Sequence, residues 1–276
     1  MLPHNIVARA TGKTITLTPV TEDGLKAWLK KADKRTQAWV DAAHFDAAAG
    51  ETLLLPGADG GIAAALLGIE GDSDLWSWSA AVDALPPGRY ALSKGINATL
   101  ATTAALGWAL GTYVFDRYTA TPAPKAELVW PARADRRAVE GAASSIALTR
   151  DLINTPASDM GPVELAAAAR KLAREFKARF NVIVGDDLLK KNYPMVHAVG
   201  RASDRAPRLI DFTWGKSGDP KVTLVGKGVC FDSGGLDLKP PAGMKLMKKD
   251  MGGAANVLGL ARMIMMANLP VRLRVL

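Results

Sequence analysis

Residues 225–253 read Val-Gly-Lys-Gly-Val-Cys-Phe-Asp-Ser-Gly-Gly-Leu-Asp-Leu-Lys-Pro-Pro-Ala-Gly-Met-Lys-Leu-Met-Lys-Lys-Asp-Met-Gly-Gly. An apolar strand, Val222-Thr-Leu-Val225, leads into this stretch, and an apolar helix from about Ala254 to Met266 follows it. The chain here is therefore a glycine-rich connection from the end of a strand to the start of a helix. Glycines on both sides of Lys227 let the backbone turn and let a ligand approach closely. Asp232 follows, and Asp250 sits just ahead of the helix, a favourable place for an anion.

Two carboxylates and a lysine converging on one cleft have two physical readings. In one, Lys227 is a protonated partner of Asp232 or Asp250, a salt bridge in a tight turn. In the other, the carboxylates bind a divalent cation, which lowers the pKa of the nearby amine until it coordinates too. Spacing alone leaves both open. Gly226-Lys-Gly228 is not a phosphate loop, because the preceding glycine and the following Ser or Thr are missing.

The rest of the chain fits an α/β class with two parts. Ile15–Pro19, Thr52–Pro56 and Ile62–Gly68 are expected as strands, the last two as a pair. Leu25, Trp28 and Leu29 recur at helical spacing behind Thr21, a suitable N-cap, and Ala98 to Phe115 predicts a second helix. Trp76 and Trp78 alternate as strand residues do. Pro122, Pro124 and Pro131 break the pattern and mark a boundary. The expected division is an N-terminal α/β domain over 1–130, a connector helix within 131–155 and a partial catalytic domain over 156–276. In that last part Pro162 suits the first turn of a helix reaching about Lys177, with Leu165, Ala168, Leu172 and Phe176 inward. Val182–Val184, Leu209–Thr213 and Val222–Val225 predict short strands of a mixed, largely parallel sheet covered by helices.

Composition excludes some classes. No apolar run reaches the roughly 18–20 residues that span a bilayer, and the first residues lack a secretory pattern, so no membrane partner and a cytoplasmic location are expected. The single Cys230 has no cysteine to pair with. The formal charge is +8, but residues 1–140 hold 14 basic and 15 acidic side chains, whereas 141–276 hold 21 and 12. Those bases are scattered rather than interleaved with aromatics, so a nucleic-acid partner is an alternative that is not favoured.

Three segments carry a resemblance: Val225-Gly-Lys-Gly-Val-Cys-Phe-Asp-Ser-Gly-Gly235 with Lys239-Pro240, Met247-Lys-Lys-Asp-Met-Gly-Gly-Ala254, and, upstream, Arg150-Asp-Leu-Ile-Asn-Thr-Pro156. Together, and more loosely with Leu106–Arg117, they closely resemble the leucyl aminopeptidase family, the M17 two-metal metallopeptidases. The resemblance implies removal of N-terminal amino acids from peptides with two divalent ions, Mn²⁺ or Zn²⁺, with Mg²⁺ also able to accept such ligands. It implies metal-ligand roles for Lys227, Asp232 and Asp250, with Asp232 serving both ions. It implies a catalytic role for Lys239, polarising the scissile carbonyl, and a substrate-pocket role for Met247. A homo-hexamer is the family's assembly.

The pattern departs from the family at one place. There the remaining ligands come from a downstream Asn-Thr-Asp-Ala-Glu-Gly-Arg motif, which these 276 residues do not contain. A truncated chain is expected, weak or inactive alone, whose final Val271–Leu276 strand leaves an open sheet edge. Other single residues carry less. Cys230 is expected as a small buried residue, His197 as a core or turn histidine, and His4 and His44 join no constellation.

Overall fold

Alternating short apolar runs and capped helices dictate layers of helix against sheet, and the computed structural model shows two such units, Met1–Ser144 and Ser145–Leu276. It describes residues 5–120, 122 and 125–276; His4 and Pro124 lie outside them.

The first unit runs β1 (Ile6–Val7), β2 (Ile15–Val20), α1 (Glu22–Leu29), α2 (Lys34–Ala42), β3 (Thr52–Pro56), β4 (Ile62–Gly68), α3 (Leu75–Ala84), β5 (Gly88–Leu92), α4 (Ala98–Gly111) and β6 (Ala126–Val129). Its strands pair in the order β1-β6-β5-β2-β4-β3. Every neighbouring pair is parallel except β3 with β4. Parallel neighbours need crossovers, which the helices provide. Each helix has its start signal in the sequence. The Thr21 hydroxyl accepts from the Gly24 amide at 3.1 Å, Asp33 from Thr36 at 2.7 Å, and Asn97 from Leu100 at 2.9 Å. Leu17, Leu67, Trp78, Tyr90, Trp108 and Leu128 are fully enclosed in the core.

Two local expectations are corrected here. Trp76 and Trp78 belong to helix α3, not to a strand. Asp74 accepts from the amides of Trp76 and Ser77, so the cap initiates a helix where two-residue alternation predicts extended chain. Only Trp78 is buried; Trp76 is exposed. Helix α4 stops at Gly111 rather than near Phe115. Thr112 turns its hydroxyl onto the Ala109 carbonyl at 2.9 Å, and the Thr-Tyr-Val run beyond is a poor helix former.

The chain continues through α5 (Arg136–Asn154), whose sequence contains the boundary between units. The second unit then adds α6 (Pro162–Glu175), β7 (Arg179–Val184), α7 (Asp187–Lys190), α8 (Pro194–Gly200), β8 (Arg208–Trp214), β9 (Lys221–Leu224), α9 (Pro241–Lys245), a 3₁₀ turn at Met247–Met251, α10 (Gly252–Ala267) and β10 (Arg272–Val275). The sheet order is β7-β8-β10-β9. β8 is antiparallel to β7 and β10, and β10 is parallel to β9, so the sheet is mixed. Phe212, Leu273 and Val275 bury against Leu165, Leu172, Met251, Leu258 and Met265 of the covering helices. Strand β10 lies inside the sheet, and the outer strands are β7 and β9. The open edge expected at Val271–Leu276 therefore falls elsewhere, because β10 inserts between β8 and β9 instead of adding to one side.

Candidate metal and catalytic site

The site grows from the exit of β9. The Gly226 amide donates to the Leu276 carbonyl at 2.9 Å, which holds the loop base against β10. A Cβ on Gly226 would lie 2.6 Å from the Gly253 carbonyl oxygen and 2.7 Å from the Ala254 Cα. A Cβ on Gly253 would lie 2.8 Å from the Lys227 nitrogen. Only two glycines let these backbones touch, and the Ala254 amide then donates to the Lys227 carbonyl at 2.9 Å. That contact sets Lys227 beside Asp250, which the 3₁₀ turn Met247–Met251 presents just before α10.

Lys227 Nζ donates to Asp250 Oδ2 at 2.8 Å. Lys239 Nζ donates to Asp232 Oδ1 at 2.8 Å, lies 4.0 Å from Asp250 Oδ2, and sits 2.9 Å from Met247 Sδ. Asp232 is steadied by its own turn, where the Gly234 amide donates to Oδ1 at 2.9 Å. Gly234 has φ +98°, a conformation that favours glycine. The five residues singled out in the sequence thus form one connected cluster. Lys249 belongs to it too, its Nζ 3.7 Å from Asp250 Oδ1. Sequence reasoning passed over Lys249, although its place next to Asp250 was a readable signal. The remaining candidates stay outside: His197 Nε2 meets Asp186 Oδ1 at 3.1 Å on α8, and His44 is exposed.

Three lysines around two carboxylates make the cluster cationic. The hydrogen bond from Lys227 holds the Asp250 carboxyl below its usual value of 3.8; partial burial opposes this, and the charges of Lys227, Lys239 and Lys249 reinforce it. Asp250 is mostly covered, while Lys227 is exposed. Cys230 is buried, with its thiol pushed up to about 11 chiefly by desolvation, so it is a core residue and no ready thiolate ligand.

The donor set can be tested for a divalent cation. Asp232 and Asp250 offer hard oxygen ligands, and the Lys227 nitrogen could join them only on losing its proton, a set that suits part of one centre. Among the described residues no three His, Cys, Asp or Glu side chains converge on a common point, so these residues do not fit a pair of ions. In the structure the ammonium groups of Lys227 and Lys239 occupy the positive positions beside the carboxylates.

A small α/β unit and a mixed-sheet unit with a lysine–aspartate cluster at a strand-to-helix turn each match one family over most of the chain. The catalytic-domain profile of the cytosol aminopeptidase family matches residues 147–276, and the M17 aminopeptidase N-terminal domain matches residues 15–131. The chain belongs to the M17 family, the cytosol or leucyl aminopeptidases. Its fold superposes on the cytosol aminopeptidase of Coxiella burnetii with TM-score 0.90 and 45% identity, covering 98% of this chain and 59% of that one. The bottromycin maturation enzyme BotP, solved in complex with Mn, gives TM-score 0.76 at 30% identity, with 95% and 58% covered. A probable cytosol aminopeptidase of Rhodococcus erythropolis is 36% identical over 185 residues, 61% of this chain and 37% of that protein. The chain thus spans well under two thirds of the relatives it matches.

Proposed function

We propose that this chain supplies the N-terminal unit and part of the catalytic unit of a metal-dependent aminopeptidase that hydrolyses the first peptide bond of peptides. The observation that carries the reading is the ammonium of Lys239, set between Asp232 at 2.8 Å and Asp250 at 4.0 Å. Asp232, Asp250 and Lys227 would hold the divalent ion, with Mn²⁺ or Zn²⁺ preferred and Mg²⁺ a third candidate. When bound, such an ion supplies Lewis-acid polarisation and a lowered pKa for water. Lys239 would donate to the carbonyl oxygen as it gains charge, where a preoriented donor acts most strongly. Met247, buried beneath Lys239, forms an apolar wall for the substrate's first side chain and fixes the height of the ammonium. The scissile C–N bond breaks, water adds to the carbonyl carbon, and the released amine takes up a proton.

Among the described residues two carboxylates and one amine are too few donors for two ions, which supports the reading that a polypeptide of these 276 residues is weak or inactive by itself. The test is hydrolysis of leucine p-nitroanilide with added Mn²⁺. Absence of turnover above the metal-only control is expected, and robust turnover overturns the incomplete-site reading. Mn²⁺ binding by calorimetry tests the ligand roles separately: loss of binding in D232N and D250N is expected, and unchanged binding overturns them. We place the protein in the cytoplasm and in a homo-oligomer, a hexamer as the resemblance implies. Exposed Phe231, Leu236, Leu238 and Leu246 on the site loop support burial by further protein. Among the described residues no helix is long and apolar enough to cross a membrane.

A further inference from the structure

We propose that the second unit carries a binding site for oligophosphate groups, built from residues that take no part in the candidate metal site. A cavity of about 360 Å³ opens where α6, β7 and β8 meet. Its lining includes four cations, Arg170, Lys171, Arg174 and Arg208, with Val163 and Val182 among its apolar residues, and it includes no carboxylate. The volume falls in the small-molecule range of roughly 300–1,000 Å³.

Ordinary structural roles account for part of this. Arg174 lies in the last turn of α6, where a cation offsets the helix dipole. The Arg170 guanidinium stacks 4.8 Å above the Phe180 ring, which fixes its plane. Neither role explains why Arg208, the first residue of β8, joins the same cavity from a different element, its Nε bonded to the Ala206 carbonyl at 3.4 Å. Elsewhere in this unit arginines meet acids: Arg262 with Glu175 at 2.6 Å, and Arg274 with Asp211 at 2.7 Å. Among the described residues none of the four cavity cations is in an ion pair with a carboxylate. Four like charges around one concave wall repel one another, and an anion entering the cavity relieves that repulsion.

The geometry points to phosphate chemistry. Guanidinium forks bind phosphate oxygens in pairs, and a phosphoanhydride chain packs several negative charges into a volume this small. Inorganic oligophosphates and nucleoside triphosphates share that chain. They differ in the nucleoside, which only the apolar part of the wall can hold.

Calorimetric titration of the full 276-residue chain with inorganic tripolyphosphate and with adenosine triphosphate, both in EDTA at about 50 mM salt, tests the proposal. Saturable binding is expected, weakened at least tenfold in R170E/R174E and weakened again when salt is raised about fourfold. Equal affinity for the two probes identifies the phosphate chain as the ligand, and tighter binding of the nucleotide adds the apolar wall; both support the site. No saturable binding of either probe, or unchanged binding in a folded R170E/R174E variant, overturns it. Should the double variant lose its circular dichroism signature, K171E at an exposed position gives the same reading, with at least a threefold loss expected and unchanged affinity counting against the site.

Discussion

Lys239 reaches back to Asp232 with its Nζ 2.8 Å from Oδ1, and the same ammonium rests 2.9 Å from the Met247 sulfur. One cation therefore ties the Asp232 turn to the 3₁₀ turn that carries Asp250.

Removing that cation is expected to strengthen metal binding while abolishing any catalysis. With so few ligands the isolated chain is expected to bind Mn²⁺ with a Kd of about 0.1–1 mM. A unit cation removed from about 4 Å of a divalent ion in a solvated site is worth about 2 kcal/mol, roughly a thirtyfold tightening in K239M. Mn²⁺ titration calorimetry checks it, and weaker binding in K239M would show that Lys239 organises the carboxylates instead of competing.

The Asp250 carboxyl is held down mainly by the Lys227 hydrogen bond. Its ionised form therefore stabilises the fold above the unfolded value near 3.8, and this contribution is lost as pH falls through the lower folded value. K227M is expected to raise the Asp250 midpoint in a carboxyl ¹³C titration and to flatten the acid limb of stability against pH. An unmoved midpoint would assign the shift to the more distant lysines.

At the alkaline end, burial pushes the Tyr90 phenol up to about 12, with its hydroxyl donating to the Pro86 carbonyl at 2.9 Å. A raised pKa stabilises the fold fully below the unfolded value of 10 and loses that contribution as pH rises from 10 towards 12. Tyrosinate absorbance should show the Tyr90 phenol titrating late. Y90F should remove it, lower stability by about 0.5–1.5 kcal/mol at neutral pH, and blunt the alkaline loss.

Cys230 is expected to resist a disulfide reagent at pH 8 in the native chain. A thiol held at about 11 and buried yields thiolate at least ~100-fold less often than a free cysteine. Reaction followed with and without denaturant measures this ratio, and fast native labelling would mean that the loop opens readily.

Gly253→Ala tests the backbone contact that builds the site. Its Cβ would press 2.8 Å from the Lys227 nitrogen, so a loss of about 1–3 kcal/mol is expected in chemical denaturation. The Lys227–Asp250 pair should open as well, seen as a rise in the Asp250 midpoint.

The sequence carried much of the local structure because its signals are local. Thr21 ahead of α1 and Pro162 at the first turn of α6 mark helix starts by side-chain chemistry, and the structure places both helices there. Trp76 and Trp78 misled because two residues of alternation weigh little against a cap, and Asp74 supplied the cap. The position of β10 was illegible for another reason: pairing order depends on contacts between residues far apart in the chain, and no residue in Arg272–Val275 declares its neighbours. Lys249 adjoins Asp250 in the sequence, but that its ammonium turns onto that carboxylate at 3.7 Å is decided by the 3₁₀ turn.

By itself the sequence determined the family, the α/β class and the set of residues that can do chemistry, since a glycine-rich turn with lysines and aspartates at fixed spacing is a covalent property of the chain. Only the tertiary structure decided how they combine. Two glycines allow β9 and α10 to touch, and that contact turns Lys227 onto Asp250, while the Asp232 turn folds back to Lys239. The gathering of Arg208 with three cations of α6 is likewise a product of packing between strand and helix, because charges distant in sequence share a cavity only after the sheet has formed.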